Sequence, residues 1–172
     1  LSIKKGTSTQ LTGTATFLTG TTQTSGLTWN TSDATVIGVS SAGKITANGT
    51  GTADVTASMG EKSATLTVSV YDISAISIDG FTNEDHLTLG AANALSKDSA
   101  AVTVKVADAD KRGGFTDAQL VKLAGGATWS SSDTSVVTVA KSSSADNAAT
   151  INAVAPGKAT VTVKVGSLTQ TV

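Results

Sequence analysis

The stretch LTWNTSDATVIGV, residues 27–39, returns as ATWSSSDTSVVTV, residues 127–139, with Trp29 and Trp129 standing 100 positions apart. A second block repeats in the same order: GKITANGTGTADVTA, residues 43–57, is echoed by ATINAVAPGKATVTV, residues 149–163. That block pairs Ile45 with Ile151, Ala47 with Ala153 and Gly51 with Gly157, so the second copy carries six extra residues between its blocks, within AKSSSADNA at 140–148. Two collinear blocks separated by a gap mark a tandem repeat, not a chance recurrence.

Both copies alternate apolar and polar residues. In the first copy Leu11, Ala15 and Phe17 alternate, then Ala53, Val55 and Ala57, then Ala64, Leu66, Val68 and Val70. In the second, Val102, Val104 and Val106 do so, as do Ala159, Val161, Val163 and Val165. Period two, bounded by Gly, Ser, Asn and Asp, predicts half-buried antiparallel strands, and many short strands at this spacing predict a β-sandwich. The expected organisation is all-β, with one sandwich over 1–71 and another over 72–172. A short, stiff connection within VYDISAISIDG, residues 70–80, joins them.

Composition excludes several functions. There is no cysteine, hence neither a disulfide nor a thiolate metal site. Net charge is −1 and Arg112 is the only arginine, so the guanidinium forks and basic patches that bind nucleic acid are missing. No apolar run approaches the roughly 20 residues that cross a bilayer, so no membrane insertion by this segment is expected. The chain opens at Leu1 with neither Met nor a leader pattern, which predicts a piece of a longer protein.

Chemistry is equally sparse. His86, the only histidine, sits in TNEDHLTLG and reads as part of a solvated loop; no G-x-S-x-G, P-loop or H-E-x-x-H pattern occurs. We therefore expect no enzyme, no catalytic residue and no organic cofactor. Trp29 and Trp129 read as inward, core-filling side chains. Ser32-Asp33 and Ser132-Asp133 read as turn closures through side-chain hydrogen bonds. Asn30-Thr31-Ser32 and Asn48-Gly49-Thr50 match a glycosylation acceptor but read as turns, Asn-Gly being a hairpin signal.

The main local departure is DADKRGGFTDAQLVKLAGG, residues 108–126, inserted into the loop before the second copy's tryptophan. Thr116 and Gln119 form a capping-box pattern, Leu120 and Leu123 give an apolar face and Gly125-Gly126 a stop, which predicts a short helix. Asp108, Asp110 and Gly113 also fall at positions 1, 3 and 6 of a calcium loop. Calcium is the one cofactor suggested, with Asp108, Asp110 and Asp117 as candidate ligands. Arg112 and Gln119 at positions 5 and 12 replace two oxygen ligands, which favours a solvated acidic loop or a protein contact.

The pattern W-x-[ST]-S-D-x-x-[VI]-x-x-V followed by [GA]-x-I-x-A-x-x-x-G-x-A-x-V-T resembles the bacterial immunoglobulin-like domain group 2 (BIG2). It occurs through Trp29, Ser32, Asp33, Val36, Val39, Ile45, Ala47, Gly51, Ala53 and Val55, and again from Trp129 to Thr162. The resemblance implies two tandem immunoglobulin-like sandwiches, the first lacking the strand that AISIDG supplies in the second and so exposing a sheet edge. It also implies a structural role in a bacterial surface-layer protein, with a phage virion protein or an adhesin stalk as alternatives. Partners would be other copies or domains of the same protein, or cell-wall and surface glycans, outside the cell.

Overall fold

The computed structural model describes residues 1–83, 85–87, 98–107, 110 and 113–172. Among the described residues the chain is all-β, with one short helix, and forms two β-sandwich units. Its two compact units are Leu1–Asp72 with Asp110–Gly114, and Ile73–Ala109 with Phe115–Val172.

Unit 1 contains β1 (Ser2–Lys4), β2 (Ser8–Gln10), β3 (Ala15–Thr16), β4 (Thr22–Gln23), β5 (Thr28–Thr31), β6 (Ile37–Val39), β7 (Lys44–Ala47), β8 (Gly51–Met59) and β9 (Lys62–Tyr71). One sheet runs β1-β9-β8-β5 and the other β2-β7-β6, with β3-β4 a separate hairpin. Alternation sends one face of each strand inward. Ile3, Ile37, Ile45, Ala47, Ala53, Val55, Val68 and Val70 come from both sheets and close on one another as the core. β1 lies parallel to β9, with Ser2 opposite Ser69 and Lys4 opposite Tyr71.

Unit 2 contains β10 (Ile76–Asp79), β11 (Ser99–Val106), α1 (Asp117–Leu123), β12 (Ala127–Ser131), β13 (Val137–Lys141), β14 (Ala148–Ala153), β15 (Val161–Val165) and β16 (Leu168–Thr171). Its sheets run β10-β11-β14-β13 and β12-β15-β16. The repeat holds at the level of register. Trp29 faces Ala57 as Trp129 faces Val163, and Val39 faces Ile45 as Val139 faces Ile151. The six extra residues lengthen one hairpin: unit 1 turns directly after Val39, whereas unit 2 continues through Ala140 opposite Thr150 and Lys141 opposite Ala149.

Some expected core positions face solvent. Phe17 is 45% exposed at the end of the β3-β4 hairpin and Leu66 is 40% exposed on β9. The first half of β9 belongs to a long hairpin whose outer end reaches no opposing sheet; only Val68 and Val70 enter the core. Asn48-Gly49 is likewise no hairpin turn. It links β7 to β8, which lie in different sheets, and Asn48 Nδ2 instead donates to the Ala34 carbonyl at 2.9 Å.

Candidate functional site

The repeated Ser-Asp pairs are structural fasteners. Asp33 Oδ1 accepts from the Thr35 amide at 2.9 Å and from the Thr35 hydroxyl at 2.6 Å; Asp133 accepts from the Ser135 amide and hydroxyl at the same distances. These bonds stabilise the ionised form, so both carboxyls are held below their ordinary range, chiefly by the hydroxyl at the next-but-one position. The serines do something other than close the turn. Ser32 Oγ accepts from the Asp54 amide and Ser132 Oγ from the Thr160 amide, each at 2.8 Å, pinning the turn to the facing strand. Oδ1 of each aspartate and the hydroxyl of each serine are thus engaged by the motif's own fold.

Both indoles lie against their cores, half-buried. A Cβ at Gly43 would come within 2.6 Å of the Trp29 ring, so the ring rests directly on the β6-β7 turn, where Gly43 has φ +79°. Trp129 Nε1 is buried without a hydrogen-bond partner among the described residues.

The inserted helix forms through the expected box. Gln119 Oε1 accepts from the Thr116 amide at 2.8 Å, and Thr116 Oγ1 accepts from the Gln119 amide at 3.3 Å. At the other end the Gly125 and Gly126 amides donate to the Lys122 and Val121 carbonyls. The buried residues are Leu120 and Val121, and Leu123 is 40% exposed, so the apolar face is rotated from the expected Leu120-Leu123 pair. Asp117 anchors the helix: its Oδ1 accepts from the Val106 amide at 2.8 Å, and Oδ2 lies 3.9 Å from Lys105 Nζ. Among the calcium candidates, Asp110 is 4% exposed, Asp117 is engaged as described, and Asp108, like Arg112, lies outside the described residues. No three acidic, histidine or cysteine side chains among the described residues are grouped to hold a metal ion.

A feature the alternation does not reveal is a cavity of about 750 Å³ in unit 2. Val136, Val137, Ile151, Val161 and Val172 form its apolar floor, and Phe81, Leu87, His86 and Lys158 lie around it. Asp85 on this rim is already committed. Its Oδ2 accepts from the Thr82 amide and hydroxyl at 2.6 and 2.9 Å, which lowers its pKa with a smaller contribution from His86. The described lining therefore combines an apolar floor with a carboxylate already engaged by Thr82.

No family model matches the chain, and no curated protein matches it. Among solved structures, domains 4 and 5 of the S-layer protein SbsC align over 95% of this chain and 78% of that one, at 26% identity and TM-score 0.43. A longer S-layer structure, rSbsC(31-844), aligns over 92% of this chain at 25% identity and TM-score 0.43; the chain spans 22% of its length. Extracellular cadherin domains 3–6 of protocadherin gamma B2 align over 100% of this chain and 43% of that one, at 12% identity and TM-score 0.37. No helix among the described residues is long and apolar enough to cross a membrane.

Proposed function

We propose that the chain is a non-catalytic structural module of a bacterial cell-surface protein, a tandem pair of group 2 immunoglobulin-like domains within a surface layer. The observation that carries this reading is the fate of the repeated motif. Ser32, Asp33 and their counterparts Ser132 and Asp133 satisfy backbone groups of their own turns and facing strands. What the chain says twice is therefore a scaffold, and its partners are other copies or domains of the same protein. The contact elements stand outside the repeat. Phe17 and Leu18, the latter fully exposed, cap the β3-β4 hairpin, and Leu123 faces outward from α1.

The test is assembly of the purified parent protein, followed by sedimentation and electron microscopy across salt and calcium concentrations. Ordered sheets or extended assemblies are expected, weakened by Phe17→Ser with Leu18→Ser. A parent that stays monomeric under every condition overturns the proposal.

A further inference from the structure

Of the six asparagines in the sequence only Asn48 is followed by glycine. The pair is chemically labile, because a glycine has no side chain to hinder attack of its own backbone nitrogen on the preceding amide carbon. In unit 1 both reacting groups are engaged elsewhere. The Gly49 amide, the nucleophile, donates to the Val36 carbonyl at 3.3 Å, beside the Asn48 amide at 2.9 Å. The Asn48 carboxamide, whose nitrogen must leave, donates from Nδ2 to the Ala34 carbonyl at 2.9 Å. It lies over Gly38, where a Cβ would come within 3.1 Å of Nδ2. Unit 2 builds the same link without the pair. Val154 and Ala155 make the same two bonds to the Val136 carbonyl, and Thr138 stands where Gly38 leaves room. Unit 1 thus adds a labile carboxamide, and a space for it, to a backbone arrangement that its own repeat forms without either.

We propose that Asn48 is a site of spontaneous deamidation, which unit 1 holds shut while folded and releases when it opens. In the open chain the Gly49 nitrogen gives its proton to water or hydroxide and attacks Cγ of Asn48. The new N–Cγ bond closes a succinimide ring, the Cγ–Nδ2 bond breaks and the nitrogen leaves as ammonia. Water then opens the ring at either carbonyl, leaving aspartate or isoaspartate at position 48. Both products lose the donor to Ala34 and set a carboxylate oxygen against that carbonyl instead. Isoaspartate also adds one main-chain carbon between the two amides that share the Val36 carbonyl. The folded unit accepts neither product as well as asparagine, so an opening that ends in reaction is not reversed by refolding.

The test holds the full chain at neutral pH across a guanidinium chloride series and follows position 48 by peptide mass mapping. When unfolded, the chain should convert Asn48 at least about tenfold faster than Asn30, which Thr31 follows. Without denaturant the rate should fall at least about tenfold below the unfolded rate, because reaction through an open form scales with that form's population. Along the series it should track the unfolded fraction of unit 1, read from the Val55 and Val68 amide signals by NMR. Gly43→Ala should move the conversion and unfolding curves to lower denaturant together. Ile45→Val, a milder change, gives the same comparison if that variant does not fold. Equal rates in folded and unfolded chain, no preference over Asn30 when unfolded, or a conversion curve that stays in place while the unfolding curve moves overturns the proposal. The consequence for refolding is read from Asn48→Asp beside Asn48→Val, the residue that unit 2 carries as Val154. The aspartate should lower the unit 1 midpoint further than the valine, and a midpoint no lower than the valine's overturns that step.

Discussion

Asp33 and Asp133 perform one task in two copies, and their chemistry sets an acid limit on the fold. Each carboxylate accepts two short hydrogen bonds from the residue two positions on, so the folded state holds it ionised to lower pH than the unfolded chain does, where it titrates near about 3.9. Below that value the unfolded state binds more protons. The stabilisation is therefore complete above the unfolded pKa and is lost as pH falls through the folded one. Denaturant titrations should give a stability that is level above about pH 5 and declines below about pH 4. Asp33→Asn with Asp133→Asn keeps an acceptor oxygen but removes the charge, so the decline should become shallower; a variant profile parallel to the parent's would refute the assignment. Gly43 makes a second residue-level case. An alanine there would adopt φ +79° and strike the Trp29 ring, two costs that together reach about 2 kcal/mol or more. Gly43→Ala should lower the unit 1 unfolding midpoint accordingly, with Trp29 emission as the readout.

At the scale of elements, α1 shows what local sequence determines and what it leaves to packing. Its start and stop were legible, because a capping box and a glycine pair act within a few residues. Its buried face was not, since Val121 and Leu123 flank Leu120 and only the strand beneath selects between them. Thr116→Ala should cost about 1 kcal/mol through the lost cap, and Leu120→Ala about 2–5 kcal/mol. Leu123→Ala should stay within about 0.5 kcal/mol; a Leu123 effect as large as that of Leu120 in thermal unfolding would restore the original face. The strands follow the same division. Alternation located β11 and β15, whose valines at 102, 104, 106, 161, 163 and 165 are all buried. It gave no sign that Phe17 and Leu66 face solvent, because period two identifies a strand without saying whether an opposing sheet reaches that far. Ala159 and Val161 alternate just as Ala53 and Val55 do, yet Ala159 is half-buried where Ala53 is buried.

Across the whole molecule, the two copies differ in how far burial extends along the same strand pair. Unit 1 closes the end that holds Ala53, Val55, Val68 and Val70, with β1 alongside, and leaves Ala57 and Met59 only half-buried in the outer hairpin. Unit 2 extends its burial to the other end. Val163 and Val165, the counterparts of Ala57 and Met59, are 0% and 2% exposed and Val161 is 3% exposed, while Ala159 lines the unit 2 cavity. Fully burying a valine is worth about 1.5–3 kcal/mol relative to leaving it exposed, so burying Val163 and Val165 where unit 1 half-buries Ala57 and Met59 strengthens that end of unit 2. Local opening should follow that distribution. Native-state hydrogen exchange should therefore rank matched amides in opposite order: in unit 1, Val55 slower than Ala57 and Met59; in unit 2, Val163 and Val165 slower than Val161. Residue-resolved exchange by NMR on the full chain decides it. The same ranking in both units would mean that backbone pairing, which the copies share, governs their opening, and not the side chains at the two ends of each core.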